Sequence, residues 1–267
     1  MNLIKGILID LSGTLHVDNK AIDGAVLGLQ RLRHSGIQIR FCTNTTKESS
    51  TSLIHKLKKL GFEISAEEVF TSLSAARNLV KALNLRPLLL LEKDALTEFE
   101  HIPQEEPYNA VVVGLSPTSF AYNKLNQAFR LVMNGAPLIA IHKARYFAEK
   151  DGISLGPGGF VQCIEYATGT KAEVVGKPER KFFELALSDM GLLDSASQVV
   201  MIGDDVCQDL GGGAEELGLI RYLVKTGKYR IDDESKYDTK PDRVFQHFGE
   251  AADFIIKWNA EISKNTN

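Results

Sequence analysis

Short apolar, β-branched runs alternate along this chain with segments of helical periodicity, and this alternation restricts the fold more than any other feature. Gly6–Ile9, residues 37–42 and residues 199–202 are typical of strands, whereas residues 47–60 and 180–190 carry apolar side chains at helical spacing. Strands that alternate with helices predict βαβ units, in which helices cover both faces of a parallel sheet. We therefore predict an α/β fold built on a parallel sheet.

The middle of the chain has a sequence pattern that differs from that of the two ends. Three further apolar runs, one long helical segment and a glycine-rich stretch lie there. The 267 residues also exceed the ~100–200 residues of a usual single domain. We predict an inserted α/β module over residues 79–172. Residues 1–78 and 173–267 then form the main parallel sheet together.

Composition excludes several classes of protein. A net charge of −3 argues against a general nucleic-acid binder, which needs a basic face. No apolar stretch approaches the ~20 residues of a membrane span, and the N-terminus lacks the cleavage site of a signal peptide. Cys42, Cys163 and Cys207 have no CxxC spacing, so we expect buried, reduced thiols rather than a zinc site or disulfides. The sequence predicts a soluble, cytoplasmic protein.

Chemically capable side chains follow the ends of four predicted strands. They are Asp10, then Thr43 with Asn44, then Lys177, then Asp204 with Asp205. Ligands bind at the carboxyl edge of an open parallel sheet, so we expect these groups to meet at one rim. Taken singly, each is also explained as a turn, a helix cap or a solvated loop residue. Their joint occurrence at four strand ends favours a functional site.

Together these groups suit phosphoryl transfer. A carboxylate such as Asp10 can attack phosphorus and form an aspartyl-phosphate, which divides one difficult step into two. Both partners are anionic, so the site needs counter-charge. Mg²⁺ prefers one or two carboxylates together with phosphate oxygens, and Asp10 and Asp204 meet that need. Lys177 adds a cation.

The motifs resemble those of the haloacid dehalogenase superfamily, subclass IIA. They are DLSGTL at residues 10–15, Thr43-Asn44, Gly176-Lys177-Pro178, Gly203-Asp204-Asp205, HKARYF at residues 142–147 and GPGGF at residues 156–160. The resemblance implies a Rossmann-like core of the haloacid dehalogenase fold, with residues 79–172 as an α/β cap that sets substrate access. It also implies a small phosphorylated substrate, no nucleic-acid or membrane partner, and a homodimer formed through the cap.

The resemblance further assigns a role to each motif residue. It implies that Asp10 is the nucleophile, and that Asp10, the Ser12 carbonyl and Asp204 are Mg²⁺ ligands. It implies that Thr43 and Asn44 bind phosphate and that Lys177 contacts both nucleophile and phosphate. Asp205 and Asp209 would be supporting residues. His142 and Arg145 in the cap are candidates for reading the leaving group, and a surface or packing role is the alternative for both.

Ser12 departs from the pattern of the superfamily. Most of its phosphatases carry there an aspartate that protonates the leaving group and then activates water. A serine hydroxyl donates a hydrogen bond but is a poor acid or base near neutral pH, so a contribution of ~10²–10⁴-fold is missing. Ser12 therefore favours leaving groups that need little protonation, namely pyrophosphate, aryl phosphates and nitrogen-linked phosphates.

Two other functions remain open at this point. The first is a phosphate-compound binding or regulatory protein whose turnover is weak because of Ser12. The second is a true dehalogenase. Such an enzyme has no need of a magnesium carboxylate set, and the Asp204-Asp205 pair argues against it.

Overall fold

The computed structural model describes residues 3–46, 48–149 and 152–266. Within these residues the strands are β1 (Gly6–Ile9), β2 (His16–Val17), β3 (Lys20–Ala21), β4 (Gln38–Thr43), β5 (Val69–Thr71), β6 (Pro87–Leu90), β7 (Ala110–Val113), β8 (Leu138–Ala140), β9 (Tyr146–Glu149), β10 (Gly152–Leu155), β11 (Glu173–Val174), β12 (Val199–Gly203), β13 (Ile220–Val224) and β14 (Arg243–Phe245). The α-helices are α1 (Ala25–His34), α2 (Ser50–Lys59), α3 (Ser72–Ala82), α4 (Lys93–Leu96), α5 (Tyr122–Met133), α6 (Gly158–Thr168), α7 (Arg180–Asp189), α8 (Gly213–Glu216), α9 (Asp233–Lys236) and α10 (Phe248–Thr266). Short 3₁₀ turns cover Ala66–Glu68, Thr97–Phe99 and Leu193–Gln198.

Six strands form the core sheet in the order β14-β13-β12-β1-β4-β5, and every neighbouring pair is parallel. In β1, Ile7 and Ile9 pack on one face with α1 and α10, while Leu8 packs on the other face with α7. All three side chains are fully buried because helices cover both faces. The predicted α/β fold with a parallel sheet is therefore confirmed.

A second parallel sheet, which we call the module sheet, has the order β11-β8-β7-β6. Leu90 and Val113 pack on one of its faces with α5 and α6, and Val112 and Ile139 pack on the other with α3. The apolar runs predicted for the middle of the chain are thus strands buried between helices, as in the core sheet.

The predicted boundaries of the inserted module need correction at both ends. Strand β11 lies after residue 172, yet it pairs with β8 in the module sheet and not with the core sheet. Helix α3 begins at Ser72, well before residue 79, and gives Leu73 and Val80 to the core of the module. The apolar pattern identifies a strand or a helix, but the partner against which it packs is decided by tertiary contacts.

Other local predictions hold with small shifts. Helix α2 runs from Ser50 to Lys59, and Lys47, where the predicted helix begins, lies outside the described residues. The expectation of three buried thiols is wrong, because Cys42 is buried, Cys207 is half-buried and Cys163 is exposed. Among residues 3–46, 48–149 and 152–266, no helix combines the length and apolar character needed to cross a membrane.

Candidate active site

Asp10 directly follows β1. On one side of β1 the core sheet continues with β4 and β5, and on the other side with β12, β13 and β14, so β1 lies where the strand order changes direction. Its backbone N–H donates to the Ile202 carbonyl oxygen at 2.9 Å, which extends the sheet by one residue. The carboxylate is buried, and Oδ2 accepts a hydrogen bond from Thr14 Oγ1 at 3.2 Å. The switch point of the sheet thus holds a fixed carboxylate at its carboxyl edge.

Lys177 bridges Asp10 to a second buried carboxylate. Its Nζ donates to Asp10 Oδ1 and to Asp209 Oδ1, both at 2.6 Å. Burial alone lowers the pKa of Lys177, but the charges and hydrogen bonds of Asp10 and Asp209 raise it by more. The ammonium group is therefore held charged between two carboxylates.

The route by which Lys177 reaches the site differs from the predicted one. It follows β11, which is a strand of the module sheet and not of the core sheet. The carboxyl ends of both sheets converge on one cavity, because Leu115, His142 and Lys177, which come after β7, β8 and β11, line it together with Asp10. The two sheets share this cavity of about 170 Å³.

Asn44 holds the backbone of Lys177. Its Nδ2 donates to the Lys177 carbonyl oxygen, and its Oδ1 accepts from the Lys177 N–H, both at 2.9 Å. This pair joins the end of the core strand β4 to the segment that follows β11. The side chain of Asn44 is thus a positioning group for Lys177, and the predicted phosphate contact of Asn44 stays a prediction.

Thr43 lies at the end of β4 and lines the cavity with Thr45. The two hydroxyl oxygens are 2.9 Å apart, and the Thr45 N–H donates to Thr43 Oγ1 at 3.2 Å. Ser12 also lines the cavity, and its side chain is exposed there. These hydroxyl groups are available to an oxyanion in the cavity.

Asp204 is enclosed by two glycines. Gly13 has φ 98° and Gly227 has φ 54°, and a Cβ at either would lie 1.9 Å or 2.1 Å, respectively, from Asp204 Oδ2. The same oxygen accepts the N–H of Lys228 at 2.6 Å. Only glycine permits this close approach of two loops to a buried carboxylate.

Three of these carboxylates form a cluster. Oxygens of Asp10, Asp204 and Asp209 lie within 4.8 Å of one another, and all three residues are buried. Burial and the charge of Asp10 raise the pKa of Asp204, and burial raises the pKa of Asp209 to about 6 against the opposing effect of Lys177. Such a set of crowded oxygen donors is the kind of site that binds a hard divalent cation.

Asp205 and Asp209 organise the loop after β12. Asp205 Oδ1 accepts the N–H groups of Cys207 and Gln208, both at 3.0 Å. Asp209 Oδ2 accepts the N–H of Asp205 at 3.1 Å, while its Oδ1 holds Lys177. Asp209 thus holds both the loop and Lys177, and Asp10 and Asp204 stay the predicted metal ligands.

The two residues predicted to read the leaving group have different positions. His142 is buried and lines the cavity, and its Nδ1 accepts the Ala144 N–H at 3.2 Å, which puts the ring proton on Nε2. Burial, with the charges of Lys228 and Lys177, lowers its pKa to about 3. Arg145 instead lies in a neighbouring cleft, with its Nη2 3.4 Å from Tyr237 Oη.

Lys228 and His16 are among the cavity residues that the sequence reasoning missed. Lys228 lies four residues beyond the end of β13, so the strand-end rule would have selected Lys225, which follows the strand directly. His16 also lines the cavity, and its Nδ1 is 2.9 Å from the Asp18 carbonyl oxygen. Burial, with the charge of Lys56, lowers the pKa of His16 to about 4. Its sequence position gave no such signal, because a histidine in a turn is common.

The fold and the site together define a hydrolase class: a parallel α/β core with a buried carboxylate at its switch point, a bridging lysine and a cluster of three carboxylates. Two family models match the chain, one described as haloacid dehalogenase-like hydrolase over residues 7–102 and one as HAD-hydrolase-like over residues 174–251. The chain belongs to the haloacid dehalogenase-like hydrolase family and is a phosphatase of that family.

Individual relatives agree with this assignment. The chain is 54% identical to haloacid dehalogenase-like hydrolase domain-containing protein 2 of Bos taurus, over 95% of this chain and 96% of that protein. It is 39% identical to phospholysine phosphohistidine inorganic pyrophosphate phosphatase of Xenopus laevis, over 96% of each. The crystal structure of 4-nitrophenylphosphatase from Thermotoga maritima matches with a TM-score of 0.84 and 26% identity, over 94% of this chain and 97% of that one. The predicted family is therefore confirmed.

Proposed function

We propose that this chain is a Mg²⁺-dependent phosphohydrolase that forms an aspartyl-phosphate on Asp10 with small phosphorylated compounds. The observation that carries the proposal is the pair of 2.6 Å contacts from Lys177 Nζ to Asp10 and Asp209 at the cavity. A nucleophilic carboxylate must be held close to an anionic phosphoryl group, and the lysine provides both the orientation and the counter-charge.

Different residues of the chain contribute to the first step, the attack of Asp10 on phosphorus. The contacts from Lys177 and Thr14 fix the two oxygens of Asp10, so one rotamer of the nucleophile is favoured. The hydroxyl groups of Thr43 and Thr45 belong to residues that line the cavity, where they can hydrogen-bond the phosphoryl oxygens. The module sheet closes the opposite side of the cavity, which restricts the access of water.

The cluster fits a divalent cation. Its three buried carboxylates, from Asp10, Asp204 and Asp209, place their oxygens within 4.8 Å of one another, and one ammonium group, that of Lys177, bridges two of them. Asp10, Asp204 and the Ser12 carbonyl would hold the ion. When bound, Mg²⁺ neutralises phosphoryl charge and orients the phosphate against the nucleophile.

Ser12 supports a selective choice of substrate. Its exposed hydroxyl lines the cavity but cannot supply the proton that a poor leaving group needs. We therefore favour pyrophosphate, aryl phosphates and nitrogen-linked phosphates as substrates. The printed name of the Xenopus laevis relative mentions inorganic pyrophosphate, phospholysine and phosphohistidine, which agrees with that choice.

Ser12 also favours a second candidate function. A phosphatase without an efficient acid or base can bind a phosphorylated compound and turn it over slowly, and then act as a binding or regulatory protein. A dehalogenase is disfavoured, because the buried carboxylate cluster serves a cation that dehalogenation does not need.

Phosphate release from a panel of pyrophosphate, aryl, alkyl and nitrogen-linked phosphates tests the proposal, with and without Mg²⁺. Asp10→Asn is the control, since it keeps the shape of the side chain but removes the nucleophile. We expect release that needs both the metal and Asp10. Release at the level of Asp10→Asn on every substrate would support the binding protein instead.

Three expectations about location and partners stay predictions. They are the homodimer through the inserted module, the lack of nucleic-acid and membrane partners, and the cytoplasmic location. Sedimentation of the purified protein at several concentrations would test the first of them directly.

A further inference from the structure

Lys228 places a second, half-buried ammonium group at the cavity. It follows β13 through the turn that contains Gly227, and its backbone N–H donates to Asp204 Oδ2 at 2.6 Å. Its Nζ lies 3.2 Å from Asp205 Oδ2, and its side chain is 17% exposed. The backbone of Lys228 thus fixes Asp204, while its ammonium group pairs with Asp205 at the border of the cavity.

The charge on Lys228 is stable. Burial acts to lower its pKa, but the carboxylates of Asp205, Asp204, Asp209 and Asp10 raise it by more. The group therefore remains an ammonium ion during turnover near neutral pH, and its role is that of a charge and a hydrogen-bond donor.

The position of Lys228 within the cavity separates it from Lys177. Lys177 is engaged by Asp10 and Asp209 at the floor. Lys228 borders both the main cavity and the adjoining cleft that holds Arg145. It lines the main cavity together with His142, which follows β8. Lys228 therefore stands at the junction of the core and module sheets.

The direction of phosphoryl transfer relates the position of Lys228 to the leaving group. Attack and departure at phosphorus are roughly in line, so the leaving group lies on the side of the phosphorus away from Asp10. His142 lines that cavity from the module sheet. Lys228 and His142 both line the cavity into which the leaving group must depart.

We propose that Lys228 stabilises the leaving-group oxygen, an inference that rests on the proposed phosphohydrolase function. An Asp10 oxygen forms the new bond to phosphorus while the bond from phosphorus to the leaving oxygen breaks. The electron pair of that bond goes to the leaving oxygen, and the Lys228 ammonium donates a hydrogen bond to the resulting oxyanion. The oxyanion takes its proton from water after it departs.

This role compensates in part for Ser12. A carboxylic acid at that position would neutralise the leaving oxygen by giving it a proton, whereas Lys228 lowers its energy by charge alone. Fixed charges aimed at a developing oxyanion contribute about 10²–10³-fold in other enzymes. The benefit grows with the negative charge on the oxygen, so it is largest for alcohols of high pKa.

The test compares leaving groups of different acidity. We would measure kcat/KM of the Mg²⁺-loaded protein for 4-nitrophenyl phosphate, phenyl phosphate and an alkyl phosphate. The variants are Lys228→Met, Lys228→Gln and Lys228→Arg, of which Lys228→Gln can retain a hydrogen bond to Asp205. Lys225→Met is the matched control, because Lys225 lies three residues away and its Nζ contacts Glu234 at 2.8 Å.

We expect both neutral variants to lose about 10²-fold on phenyl and alkyl phosphates and about tenfold or less on 4-nitrophenyl phosphate. Lys228→Arg and Lys225→Met should keep the dependence on leaving-group acidity seen in the unmodified protein. An equal loss on all three substrates would overturn the role of Lys228 and leave the proposed function intact. If the unmodified protein released no phosphate beyond Asp10→Asn, the proposed function and this inference would fail together.

Discussion

The carboxyl edges of the two parallel sheets meet at the same cavity but supply opposite chemistry. The core sheet contributes the carboxylates of Asp10 and Asp204, and Asp209 comes from the loop after β12. The module sheet contributes Lys177 and His142. The carboxylates thus come from the core sheet, and the bridging lysine, Lys177, comes from the module sheet. Neither sheet alone makes a site, because the buried carboxylates need the cation that the module brings.

Removal of the metal should have the largest effect on this balance. Chelation with EDTA leaves the crowded carboxylates of Asp10, Asp204 and Asp209 without a divalent cation, so we expect phosphate release to fall to the Asp10→Asn background and excess Mg²⁺ to restore it. The melting temperature should also rise with added Mg²⁺, since an ion that binds the native state stabilises it. Release that persists in EDTA would contradict the assignment of the cluster as a metal site.

Lys177→Met tests the contribution of the module sheet. We expect kcat/KM to fall by about 10³-fold or more, because nucleophile and phosphate lose their shared cation. Unfolding by urea should show a loss of about 3–5 kcal/mol, since two buried carboxylates lose their partner. Lys225→Met is the control for the loss of a lysine. A variant with near-normal turnover would mean that the two sheets do not depend on each other.

Asn44→Ala tests the joint between the sheets. Without the two 2.9 Å hydrogen bonds to its backbone, Lys177 should shift, and we expect kcat to fall by about 10²-fold. Asn259→Ala is a matched control, because Asn259 makes the same pair of bonds to the backbone of Ile4, at 2.9 Å and 2.8 Å. Both variants should lose similar stability. Equal kcat values for the two would refute a positioning role for Asn44.

Ser12→Asp sharpens the comparison by adding an acid on the core side. We expect turnover of alkyl phosphomonoesters to rise by about tenfold or more and turnover of pyrophosphate to change less, because only the alkyl leaving group needs a proton. The ratio of the two kcat/KM values is the measurement. A similar change on both substrates, or a loss on both, would count against the role given to Ser12.

The smallest effect should come from the histidine of the module. The pKa of His142 in the folded protein is about 3, below its ordinary value of 6.5, because of burial and the charges of Lys228 and Lys177. Below pH 6.5 the unfolded chain therefore binds more protons at this residue, and the folded state loses stability as the pH falls. Relative to His142→Phe, the unmodified protein should lose up to about 1.4 kcal/mol per pH unit between pH 6 and 4. Urea unfolding of both proteins across that range measures it, and a constant difference would exclude a neutral His142.

Much of the site was predictable from the sequence because strand ends and motif spacing are local properties. Asp10, Thr43, Asp204 and Lys177 were each identified as residues that follow apolar strands, and all four lie at or beside the cavity. Lys228 lies four residues beyond the end of β13, so the same rule would have selected Lys225 instead. The substitution at position 12, and the substrate hypothesis that follows from it, also needed no structure.

Tertiary structure decided which sheet each strand joins and what each side chain contacts. The sequence predicts a short strand before Lys177 but not the sheet to which it belongs. Only its pairing with β8 assigns it to the module sheet. The engagement of Asn44 with Lys177 joins residues 133 positions apart, so no local pattern could reveal it. A sequence determines where a strand ends and which group follows it, because both depend on neighbouring residues. The residue that a side chain contacts across a cavity depends on the packing of the whole chain. That packing placed the carboxylates on the core sheet and Lys177 on the module sheet.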